Sequence, residues 1–132
     1  MTFLIRTLDI TASGREIRRE RASPAPTLTA GRAAENDIHL PDLAVEQHHV
    51  LIDAGPDGTV AVSALGTLGF GLDGRVVTEG VIDAQTGGEI ALGSARLVVT
   101  REGEAIAITI RQVAEEEGKG DALRGFALAS VL

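Results

Sequence analysis

The stretch GRAAENDIHLPDLAVEQHHVLI, residues 31–52, lays out a strand end, a polar loop and a new strand in twenty-two residues. Thr27-Leu28-Thr29-Ala30 runs into Gly31-Arg32, and Pro41-Asp42 marks an acidic turn. The short apolar run Val50-Leu51-Ile52 follows directly on His49. An arginine and a histidine therefore flank a loop carried between two strands. The guanidinium of Arg32 has a planar fork that can give two hydrogen bonds to one oxyanion, so it is a candidate ligand for an anionic group.

Outward from this unit, the chain speaks in period two. In Ala105-Ile-Ala-Ile-Thr-Ile110, the residues Ile106, Ile108 and Ile110 fall on one face of a strand. Leu97–Val99 forms its partner across Arg101-Glu102-Gly103, giving an expected hairpin. Phe3–Leu8 and Glu16–Arg21 pair across Ser13-Gly14, and Pro24 and Pro26 interrupt pairing before Thr27. Gly55-Pro56-Asp57-Gly58 is a turn leading into a strand at Thr59–Val62; Asp73-Gly74 is a hairpin turn; Gly87-Gly88 opens the strand Glu89–Leu92. Short strands at roughly ten-residue spacing predict an all-β protein, an antiparallel sandwich or barrel.

Composition narrows the function classes. The chain has 132 residues, 44% of them apolar, three Phe, no Tyr, no Trp and no Cys. A core of Val, Ile, Leu and Ala is expected, without disulfides or thiolate metal sites. The net charge of −7 and the lack of stacking aromatics argue against nucleic acid as a partner. No run of about 18 apolar residues spans a bilayer within this chain, and the start has no signal-peptide pattern. A P-loop motif is absent, and Ser63 and Thr67 lack the base and orienting group that nucleophilic catalysis needs. His48 and His49 are adjacent, so on a strand they face opposite ways and do not chelate one ion. No enzyme activity, metal or cofactor is expected. The Arg15, Arg18, Arg19 and Arg21 cluster, broken by Glu16 and Glu20, reads as a solvated strand edge.

Gly31-Arg32, Asn36-Asp37-Ile38 with Leu40, Pro41-Asp42, His49 and the late Gly87-Gly88-Glu89-Ile90-Ala-Leu-Gly93 come in an order that resembles the forkhead-associated (FHA) family. The likeness covers roughly Leu28 to Thr100. It implies an antiparallel β-sandwich of the FHA/SMAD-like type that binds phosphothreonine peptides through loops at one end. By the same resemblance Arg32 reaches the phosphate, and His49 is architectural, its ring bonding the backbone of the binding loop. Where the family pattern SxxH has a serine, this chain has Glu46, and Gln47 stands where a basic residue is common. The first asparagine of the family's glycine-rich loop has no counterpart in Leu65–Gly74. The family pattern is thus degenerate at its phosphothreonine-binding positions. Like charges about 4 Å apart repel by roughly 1 kcal/mol in water and about 4 kcal/mol at an effective dielectric near 20, so a phosphate beside Glu46 meets a penalty. The same geometry favours an internal Glu46–Arg32 ion pair.

The expected function is a non-catalytic protein–protein interaction module whose apical loops, Arg32 to Asn36, Leu43 to His48 and Gly66 to Phe70, recognise a protein or peptide without requiring phosphate. The partner-contacting residues are expected to be Arg32, Glu46, Gln47, His48, Thr67 and Leu68. Gly31, His49, Gly69, Asp73 and Gly74 are expected to build the binding end. One alternative is a phosphothreonine reader using Arg32, Thr67 and loop amides. Another, implied by degenerate FHA-like domains, is the cytoplasmic scaffold part of a membrane-associated assembly such as a bacterial type III secretion inner-membrane ring. A cytoplasmic location is expected in each case. The domain is expected to span residues 1–112. Residues 113–132 are expected to form a charged linker and an apolar tail, flexible or helical, with Asp121 as a helix cap and Leu123 and Phe126 turned to a surface.

Overall fold

The structure, a computed structural model, describes residues 2–112. The expected linker and tail, including Asp121, Leu123 and Phe126, lie outside the described residues. Twelve strands make two sheets. In chain order they are β1 (Phe3–Ile10), β2 (Glu16–Ser23), β3 (Thr27–Gly31), β4 (Ile38–His39), β5 (Val50–Ala54), β6 (Thr59–Ala64), β7 (Phe70–Leu72), β8 (Arg75–Val77), β9 (Glu79–Asp83), β10 (Gly88–Leu92), β11 (Ala95–Glu102) and β12 (Ala105–Gln112). One sheet has the order β2-β1-β12-β11-β10-β7-β8, and the other β4-β3-β5-β6-β9.

The sandwich is the expected one, with two pairings that alternation along the chain does not reveal. β1 lies parallel to β12, in register from Phe3 with Ile106 to Thr7 with Ile110. β4 lies parallel to β3. Every other neighbouring pair is antiparallel.

Period two accounts for the core. Phe3 and Ile5 from β1, and Ile106, Ile108 and Ile110 from β12, turn inward on the seven-stranded sheet. Leu97 and Val99 of β11 and Ile90 and Leu92 of β10 continue that layer. Leu28, Val50, Ile52, Val60, Val62 and Ile82 face them from the five-stranded sheet. Leu28, Ile52, Leu97 and Ile108 are fully buried. Apart from Phe3 and Phe70, the core among the described residues is aliphatic. The opposite face of β1 carries Arg6, which bonds Glu20 on β2 and both oxygens of Glu102 on β11. That cluster ties three strands of the outer face together.

The topology brings one set of loops to one end. β3 and β6 run toward it, while β5 and β7 run away from it. Residues 32–37, 40–49 and 65–69 therefore cluster at the apex, and the β10–β11 turn at Gly93-Ser94 joins them. The chain leaves β12 at Gln112 on the same side, where Ser94 Oγ lies 2.9 Å from Gln112 Oε1.

Candidate functional site

His49, buried at the start of β5, holds two apical loops at once. Its Nδ1 accepts a hydrogen bond from the Glu46 amide at 3.0 Å. Its Nε2 lies 2.9 Å from the Gly69 carbonyl. A carbonyl cannot donate, so Nε2 carries the proton and the ring is used as the Nε2–H tautomer. Gly69 has no room for a side chain, since a Cβ there would lie 2.6 Å from the Val77 carbonyl oxygen.

Asn36 is the second brace and is also buried. Its Nδ2 donates to the carbonyls of Ala33 at 2.8 Å and Gln47 at 2.7 Å. Gly31 permits this approach, because a Cβ there would run into the Gln47 carbonyl. Asp42 supplies the third brace. Its carboxylate accepts from the amides of Ala44 at 2.9 Å and Ser94 at 2.8 Å, and from the Ser94 hydroxyl at 2.8 Å. The Ser94 amide, with Ala44 and the Ser94 hydroxyl behind it, holds the Asp42 carboxyl below the ordinary carboxylate range.

Arg32 is clamped to the backbone of the neighbouring loop. Its amide donates to Glu46 O at 2.8 Å, and its Nε donates to Val45 O at 3.0 Å. The expected Arg32–Glu46 ion pair does not form. The Glu46 carboxylate crosses the apex instead and caps the third loop, accepting from the amides of Leu68 at 3.0 Å and Thr67 at 3.3 Å and from the Thr67 hydroxyl at 3.3 Å. Three donors converge there, whereas the guanidinium is already turned toward Val45. The Leu68 amide is the main cause of the depressed pKa of Glu46, so the group is an anion at neutral pH. Gly66 makes room, since a Cβ there would sit 2.5 Å from Glu46 Oε1.

The remaining expected residues are distributed unevenly. Gln47 is exposed and contributes its carbonyl to Asn36. His48 is exposed, with Nδ1 3.3 Å from Asn36 Oδ1 and Nε2 3.4 Å from Glu35 Oε2. Thr67 and Leu68 lie beneath Glu46 as its donors. Asp73 and Gly74 do not lie at the binding end. β7 carries the chain away from the apex, and the two residues form the far tip of the β7–β8 hairpin, where Asp73 Oδ1 accepts from the Glu89 amide. Their positive φ angles, 49° and 90°, are those of a tight hairpin turn. Asn36, inside the expected loop Arg32 to Asn36 but not named as a site residue, and Asp42, outside the expected loops, brace the site together with His49. The Asn36-Asp37 pair within the polar loop was the available signal for the first. The Asp42–Ser94 contact joins distant segments and leaves no local trace.

Solved structures with a similar fold exist. The FHA domain of the CT664 protein from Chlamydia trachomatis superposes with a TM-score of 0.57 at 21% identity, covering 76% of this chain and 97% of that one. This is an FHA fold. An FHA domain studied for phosphothreonine-dependent interactions gives a TM-score of 0.55 at 22% identity, covering 74% of this chain and 95% of the other. The FhaA FHA domain, solved in complex with the intracellular domain of Rv3910, gives 0.51 at 25% identity, covering 69% and 92%. No family model and no curated protein matches the chain. In this FHA fold, no helix among the described residues is long and apolar enough to cross a membrane.

Proposed function

We propose that this FHA fold is a non-catalytic protein-interaction module that recognises its partner through the apical loops without requiring phosphate. The observation that carries the reading is the seat of Glu46. Its carboxylate occupies the amides of Thr67 and Leu68 and the Thr67 hydroxyl, donors that an incoming anion would otherwise use. A phosphate at the apex has to displace a bound carboxylate or lie beside it, and the second arrangement is repulsive. The apex also presents Leu43, 91% exposed, with Leu65 and Leu68 about half exposed, so its outward surface is substantially apolar. Rigid loops offering such side chains suit recognition of a protein surface.

A second reading, phosphothreonine recognition, is favoured by Arg32. The terminal nitrogens of its guanidinium have no hydrogen-bond partner among the described residues, so its fork is available to an oxyanion. Matched peptide libraries carrying threonine or phosphothreonine separate the two readings. The wild-type chain is expected to show no preference between them. Glu46→Ser is expected to create a preference for phosphothreonine that Arg32→Ala removes. A wild-type preference for phosphothreonine, lost in Arg32→Ala, overturns the first reading in favour of the second.

A further inference from the structure

Among the described residues, β2 is an edge strand paired on one side only, to β1, in unbroken register over eight residues from Glu16 with Ile10 to Ser23 with Phe3. No bulge or proline interrupts it. Half of its amides and carbonyls point away from β1, and among the described residues none of those from 16 to 22 finds a partner. Such an edge is a template for another extended backbone.

Its side chains specify which kind. Arg19 lies opposite Thr7 and Arg21 opposite Ile5, and Ile5 is a core residue. By the alternation of a strand, both arginines are on the inner face of the seven-stranded sheet. The second sheet does not cover them, because its edge strand β4 is only two residues long. An open cleft of about 470 Å³ results, walled by Arg19, Arg21 and Thr7 on one side and Asp37, His39 and Pro41 on the other. Inward-pointing charges on an edge strand keep off an apolar or like-charged strand and leave an oppositely charged one as the fit.

Two acids, Asp9 and Asp37, also line the cleft. Asp9 stands on the inner face of β1 at the Ile17 end, opposite Ile17 and not opposite either arginine. The Asp37 carboxylate accepts from the amide and hydroxyl of Thr29, while its carbonyl accepts from Arg21. On the outer face, Glu20 is paired with Arg6. A strand laid along β2 therefore meets two guanidinium groups at alternate positions on its inner side, in a chain whose net charge is −7.

We propose that the free edge of β2 is a second docking surface, separate from the apical loops, for an extended acidic segment of a partner protein. The segment adds as an eighth strand, with acidic side chains at every second position facing Arg19 and Arg21. Backbone pairing supplies the register, and opposite-charge pairs across the new strand supply the selectivity.

The probe is a capped peptide, Thr-Glu-Val-Glu-Val-Glu-Thr, titrated into the full 15N-labelled chain. A peptide with lysine for each glutamate and an acidic peptide with alternate backbone nitrogens methylated serve as controls. The acidic peptide is expected to bind, with amide shifts concentrated on β1 and β2. Each control is expected to bind at least about tenfold more weakly, as is the acidic peptide to a protein carrying both Arg19→Gln and Arg21→Gln. Failure of the acidic peptide to bind, equal binding of the methylated one, or shifts confined to the apical loops overturns the proposal. So does concentration-dependent dimerisation through β2, which makes a second copy the occupant. The methylated control uses the unaltered protein, so its result does not depend on how any variant folds.

Discussion

Each ring nitrogen of His49 is committed to a different loop, so its loss strands a half-buried amide and a half-buried carbonyl and leaves a cavity where the buried ring was. His49→Ala is expected to lower the unfolding free energy by about 2–4 kcal/mol in urea titration. Glu46 and Asp42 make a different test. Both are held below the ordinary carboxylate range, by the amides of Leu68 and Ser94 first. A carboxyl depressed in the folded state contributes stability that is full above its unfolded pKa and is lost as pH falls through the folded value. Unfolding free energy is therefore expected to decline as pH drops below about 4.5. Glu46→Gln combined with Asp42→Asn is expected to flatten that decline, read from urea midpoints across the acid range. The presence of a carboxylate at position 46 was legible in the chain, but its direction was not. Spacing places Glu46 and Arg32 at the same apex, and Coulomb's law favours their pairing. The preference for Thr67 and Leu68 is set by where a distant loop points its amides, which alternation and composition do not encode.

At the level of the strand and turn, local chemistry was a good guide wherever it was sufficient. Asp73-Gly74 forms the expected hairpin because both residues tolerate positive φ. Gly74→Ala, at a φ of 90°, is expected to cost about 1 kcal/mol in thermal or chemical unfolding while leaving apical binding unchanged. The Ile106, Ile108 and Ile110 face was equally readable, because one inward-facing stripe follows from period two alone. β4 and β9 were not singled out. β4 is two residues long, and β9, Glu-Gly-Val-Ile-Asp, has only Ile82 turned fully inward. Strands that short or that exposed leave no periodic signal. The arginines of β2 do lie on an exposed edge strand, as the chain implied. The inner-face position of Arg19 and Arg21 follows only from the register with β1.

Across the whole molecule, burial is concentrated in aliphatic side chains sandwiched between the sheets. Leu97→Ala at the centre of β11 is expected to cost about 2–5 kcal/mol, whereas Val76→Ala, at an 85% exposed edge position, is expected to change stability by less than about 0.5 kcal/mol. The global fold was legible because many weak local signals agreed with one architecture. The pairing of β1 with β12 was not, since Arg6 and its neighbour Thr109 are separated by 103 positions and nothing in either strand names the other. That pairing has a mechanical consequence. β1 and β12 run the same way, so the two ends of the sandwich emerge at opposite poles. Tension applied through Phe3 and Gln112 pulls the adjoining strands past each other lengthwise. Their rungs, Phe3–Ile106 through Thr7–Ile110, then share the load instead of opening in succession like a zip. A domain wired in this way is a stiff link when strung between anchored neighbours.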